Sequence, residues 1–115
     1  MEVVRTKRQT ELEPDALVLG DCLEVMQTIP TGSVDAIIAD LPYGTTNCKW
    51  DEVIPFPELW AEYKRVAKRN APIVLFSAQP FTAKLIMSNV KMFKYCWYWE
   101  KEKGTGFLNA KRQPL

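Results

Sequence analysis

The chain has 115 residues, of which 47% are apolar and 25% charged, with a net charge of +1. This is the composition of one ordinary globular domain; it excludes a disordered, fibrous or disulfide-stapled chain, and the total charge points to no nucleic-acid partner. The distribution is less even, because residues 91–115 carry six basic residues against Glu100 and Glu102. Cys22, Cys48 and Cys96 are odd in number, without C-x-x-C spacing, and histidine is absent. Neither a zinc site nor a disulfide framework is expected, and the usage fits a reducing cytosol. The opening "MEVVRTKRQT" lacks the apolar core of a signal peptide, and no apolar run approaches the roughly 20 residues of a membrane helix. The expectation is a cytoplasmic protein, with residues 1–14 as an N-terminal extension.

In chain order, "ALVLG" (Ala16–Gly20) reads as a first strand. Asp21 followed by Glu24 has the form of a capping box, and Leu23, Met26 and Ile29 repeat at helical spacing until Pro30 stops the helix. "VDAIIAD" reads as a second, buried strand over Val34–Ala39. A long polar loop follows. Leu59, Tyr63 and Val66 then mark a helix over about Pro57 to Arg69. "PIVLFS" (Pro72–Ser77) is the third strand, and Phe81 and Leu85 share one face of a helix from about Pro80 to Asn89. "FKYCWYW" (Phe93–Trp99), rich in β-forming aromatics, is the fourth strand. Trp97, Tyr98 and Trp99, like Trp50 and Trp60, read as packing residues. The alternation predicts an α/β domain: about four strands in a parallel sheet with helices on both faces. In open sheets of this kind ligands bind beyond the carboxyl ends of the strands, where Asp21, Asp40 and Ser77 fall.

The second strand ends in Asp40-Leu41-Pro42-Tyr43. This tip suits an exocyclic amino group of a nucleobase, whose lone pair is delocalised into the ring. To attack a methyl donor, that nitrogen must rehybridise and shed a proton. A carboxylate (Asp40) and a main-chain carbonyl (Leu41) accepting from its two N–H bonds favour the change. Pro42 brings no competing N–H and fixes φ, while Tyr43 offers a ring for an unstacked base, worth about 1–3 kcal/mol. That stacking offsets part of the few kcal/mol needed to extrude the base.

"GDCLEVMQTIPTGSVDAIIADLPYG" resembles the amino-methylating DNA methyltransferases of the permuted (beta) group, in which an Asp/Asn/Ser-Pro-Pro-aromatic motif precedes the methyl-donor glycine motif. Gly20-Asp21, Ser33-Val34-Asp35 and Asp40-Leu41-Pro42-Tyr43 carry the resemblance, as do "VLFSAQPFTAKLI" and the pattern of Trp97, Trp99, Lys101 and Gly106 to Pro114. Leu41 departs from the usual proline.

The resemblance implies an incomplete Rossmann-like methyltransferase sheet and, over residues 1–115, one partial methyltransferase domain. It implies S-adenosyl-L-methionine as cofactor, with no metal, and double-stranded DNA as partner, adenine rather than cytosine being favoured by Asp40. Asp40, Leu41, Pro42 and Tyr43 would be catalytic. Asp21, Cys22, Asp40, Ser77 and Gln79 would lie at the donor, with Phe81 near the donor or the base. Tyr43 would stack on the base; by their charge alone, Lys111 and Arg112 are either phosphate contacts or a solvated tail.

The family's Phe-x-Gly-x-Gly donor motif is missing, since Gly104 and Gly106 follow an aromatic strand with no donor-motif phenylalanine ahead of them. In the family order two further strands lie between the first and second strands seen here. The sequence is then partial, or is completed by a second polypeptide, or closes its sheet differently, with an apolar flank exposed in the meantime. Isolated as these residues, the chain is expected to give no turnover. Rival readings are a non-catalytic remnant or association module of the same fold, or a methyltransferase of cytosine amino groups, RNA or protein amides.

Overall fold

A computed structural model describes residues 14–102. They form a small mixed α/β unit in the order α1 (Cys22–Met26), β1 (Ile37–Asp40), α2 (Phe56–Val66), β2 (Ile73–Phe76) and α3 (Phe81–Ser88), with a 3-10 turn at Val90–Met92. β1 and β2 are parallel neighbours, Ile37 opposite Ile73 and Asp40 opposite Phe76, so both strands end at the same edge. The pairing begins earlier, in an isolated bridge between Val34 and Ala67.

Each helix has a local cause. Asp21 caps α1, its Oδ1 accepting from the Leu23 N–H at 2.9 Å; such a cap is worth about 1 kcal/mol. The bond goes to the second amide of the helix, so Asp21 is a simple N-cap rather than half of the expected capping box, and α1 is a short helix. Pro57 supplies a favourable first turn for α2, whose Leu59, Tyr63 and Val66 are buried as their spacing predicts. Phe81 and Leu85 are the buried face of α3.

All three helices feed one cluster of Met26, Leu41, Leu59, Tyr63, Phe81 and Leu85, against which Ile37, Ala39, Ile73 and Leu75 of the sheet pack. The sheet is therefore covered on one face. Burial alternates along β1, and Ile38 on the opposite face is 73% exposed. The expectation of a strand buried on both sides, with helices on both faces, is corrected to a one-sided, two-stranded sheet among the described residues.

Ala16–Gly20 and Phe93–Trp99 form no strand. A strand exists by virtue of its partner, and neither segment finds one among the described residues. Leu17 and Leu19 are exposed, and so are Tyr95, Trp97, Tyr98 and Trp99, Tyr98 by 92%. The aromatics read as packing residues are thus solvent-facing; Trp99 meets Phe76 edge-on, and Lys101 lies over its ring. Trp50 is likewise 75% exposed, whereas Trp60 packs against Tyr63 and donates to Ser88 Oγ at 2.8 Å. No helix among the described residues is long and apolar enough to cross a membrane.

Candidate active site at the carboxyl edge of the sheet

The alternation of β1 sends Ala39 toward the core and leaves Asp40, the last strand residue, exposed. The next residue reverses direction: Leu41 is only 7% exposed and belongs to the core cluster. This accounts for the leucine where a proline would serve, because the side chain anchors the strand tip from below. Pro42 and Tyr43 follow as half-buried residues.

Two contacts fix Tyr43. Its ring stacks on Phe81, with centroids 5.2 Å apart and planes 24° apart, and Phe81 is itself supported by Phe56. Its hydroxyl donates to Asp40 Oδ1 at 3.1 Å. Partial burial, and then the Asp40 carboxylate, push the Tyr43 phenol above its ordinary pKa, so it stays protonated and donating near neutrality. Among the described residues the Asp40 carboxylate has no ion pair and no other hydrogen bond. Its second oxygen remains an open acceptor.

Beside the tip, a cleft of about 560 Å³ is lined by Gly20, Asp21, Cys22, Leu23, Pro42, Lys49, Trp50 and Glu52–Pro55. Asp21 and Cys22 from the start of α1 therefore share a cleft with Pro42. Asp21 faces it with one oxygen engaged by the Leu23 N–H. Burial, and then the neighbouring Asp21, raise the Cys22 thiol above its ordinary pKa, which makes it a poor nucleophile.

Ser77 and Gln79 are not in this cleft. They follow β2, next to the strand tip that ends in Asp40, and their polar atoms are used locally. Ser77 Oγ accepts from Thr82 Oγ1 at 2.8 Å, and Gln79 Oε1 accepts from the Ala83 N–H at 3.2 Å. Phe81, 2% exposed, lies under Tyr43 and can act on a base only through that ring. Lys111 and Arg112 lie outside the described residues.

Sequence reasoning missed Asp51. It is 8% exposed and sits in the stretch read only as a polar loop. Oδ1 accepts from the Gly44 N–H at 2.9 Å; Oδ2 accepts from the N–H groups of Thr45 (3.0 Å) and Thr46 (2.8 Å) and from Thr46 Oγ1 (2.7 Å). The Thr46 hydroxyl, followed by the Gly44 amide, holds the Asp51 carboxyl below its usual pKa. Gly44 after the aromatic was the one available signal: its φ is +72°, and a Cβ there would meet Val53 Cγ2 at 2.7 Å.

No group of histidine, cysteine and carboxylate side chains among the described residues is arranged to hold a metal ion. Comparison of the chain with family models, with curated proteins and with solved structures returned no match.

Proposed function

We propose that the chain carries the catalytic part of an S-adenosylmethionine-dependent DNA amino-methyltransferase acting on the N6 amino group of adenine, on a Rossmann-like sheet. The observation that carries this reading is the exposed Asp40 carboxylate at the carboxyl end of β1, oriented by the Tyr43 hydroxyl and free of any ion pair among the described residues. The carboxylate's one partner among the described residues is the Tyr43 hydroxyl, and it stands where open α/β sheets bind ligands.

The cleft fits a donor of this kind in size and in chemistry. Its volume of about 560 Å³ lies within the range of small-molecule sites. Asp21 offers a free oxygen to hydroxyl or amino groups, Lys49 a cation to a carboxylate, and Trp50 a ring to a purine. S-adenosylmethionine supplies, when bound, a methyl group on a positively charged sulfur. The chain's own residues do the rest. Asp40 and the Leu41 carbonyl accept from the two N–H bonds of the adenine amino group, localising its lone pair on nitrogen. Asp40 would accept the proton that the amino group sheds on receiving the donor's methyl group at N6. Tyr43, backed by Phe81, offers its ring to the extruded base.

Exposed Leu17 and Leu19, and Ile38 on the open face of the sheet, leave apolar surface that further elements of the polypeptide or of a second one would cover. The test offers methyl-labelled donor with duplex DNA, RNA and protein extract to the chain, both alone and as the full product of its reading frame. Label in duplex DNA, lost with Asp40→Ala, supports the reading. Label in RNA or protein instead, or none in any acceptor, overturns it.

A further inference from the structure

The Gly44–Asp51 loop leaves the strand tip at Tyr43 and returns at Trp50 to the cleft shared with Asp21 and Pro42. It is not held by strand pairing. Its hydrogen bonds are the four to the Asp51 carboxylate, one from the Asp51 N–H to the Cys48 carbonyl, and one from the Cys48 N–H to Thr46 Oγ1. Every one of them passes through Asp51 or Thr46. The carboxylate is nearly buried and has no cation within ion-pair distance among the described residues, so the loop's own donors carry its charge. Charge-assisted bonds of this kind are about twice as strong as neutral ones.

We propose that Asp51 is a positioning residue for the reaction assigned above, a role that rests on the methyltransferase reading. By gripping the Tyr43–Gly44 peptide and the two amides after it, Asp51 holds the base-facing ring and the Trp50 wall of the cleft in one geometry. Both sides of the transfer, acceptor and donor, then depend on one side chain that touches neither. The packing of Gly44 against Val53 leaves this peptide little room to settle elsewhere. A displacement of about 1 Å in a reacting group can cost up to about 100-fold in rate.

The test uses the full chain in its reading frame and compares wild type with Asp51→Asn, which keeps the shape but turns an NH₂ toward amide donors. A milder variant, Thr46→Val, removes only the hydroxyl and covers the case in which Asp51→Asn fails to fold. Amide exchange at Gly44, Thr45 and Thr46 should quicken by about ten-fold or more, with β1 amides unchanged. At saturating donor and DNA, single-turnover transfer should fall by about ten-fold or more, with KM for DNA within about two-fold, because the loss is in placement rather than in capture. Thr46→Val should move both readouts in the same direction by less. Unchanged exchange overturns the clasp; faster exchange with wild-type transfer overturns the positioning role. A wild-type protein that protects these amides but transfers no methyl group overturns the methyltransferase reading itself, and the wild-type control separates that failure from the other two.

Discussion

The two ends of β1 are tied down by opposite charges, and they are tied down differently. Before the strand, Arg65 of α2 donates to the carbonyls of Met26 (2.7 Å) and Ile29 (2.9 Å) and to Thr31 Oγ1 (3.2 Å), with Glu62 as its counter-ion. After the strand, Asp51 accepts from three consecutive amides and a hydroxyl. A cation gathers carbonyls at one end; an anion gathers N–H groups at the other. The end before the strand has main-chain support as well. Gly32 N–H donates to the Arg65 carbonyl, Ser33 and Val34 N–H to Val66, and Lys68 N–H to Val34. The end after the strand has a side chain in place of that ladder. The candidate site lies at this second end, where one carboxylate sets the geometry.

Four measurements break or sharpen this contrast. The largest effect is expected from Phe81→Ala, which removes both a fully buried ring and the support of Tyr43. It should cost about 3–5 kcal/mol in urea unfolding, and a loss under about 1 kcal/mol would show that this end is not packed as described.

Acidification should separate the two ends next. Because the folded state holds the Asp51 carboxyl below its usual pKa, its contribution is fully present above the unfolded value of about 4 and is lost progressively as pH falls from there through the lower folded value. Amide exchange, corrected for its intrinsic pH dependence, should therefore show Gly44–Thr46 opening below about pH 4 while Ser33 and Val34 stay protected. Simultaneous opening of both would remove the distinction.

Arg65→Met should have a smaller effect. With the main-chain bonds still in place, protection at Ser33 and Val34 should stay within about three-fold of wild type in the same experiment. The smallest effect is expected from Lys68→Ala. The Lys68–Asp35 ion pair is short, 2.6 Å, but both side chains are largely exposed, so the unfolding free energy should change by no more than about 0.5 kcal/mol.

The parts of the fold legible in the sequence are those whose cause is local. The apolar spacing of Leu59, Tyr63 and Val66 places α2, and Phe81 and Leu85 place α3, each within a few residues of its expected ends. The run "IVLF" is a strand as read. The segments at Ala16–Gly20 and Phe93–Trp99 have equally good β-forming residues, but pairing is a long-range property that composition cannot supply. The same holds for burial: an apolar run marks a strand, yet the exposure of Ile38 depends on what is laid across the second face.

At the site, the exposed acid at the strand end was legible from the abrupt ending of the apolar run. The inward anchoring of Leu41 was not, because a single apolar residue between an acid and a proline belongs to no period that says which way its side chain turns. Asp51 was beyond reach for a different reason. Its role is set by a turn that brings residues five to seven positions apart onto one carboxylate, and no helical or strand period describes that spacing.

The central claim is that the Asp40 carboxylate, steadied by Tyr43, holds the amino group of an extruded adenine. The most direct measurement is nucleoside mass spectrometry of unmethylated genomic DNA incubated with S-adenosylmethionine and the full reading-frame protein, wild type or Asp40→Ala. The account predicts N6-methyldeoxyadenosine with wild type and none above background with Asp40→Ala, at equal donor affinity by calorimetry. Equal N6-methyladenine from the two proteins, or none from wild type, would contradict it.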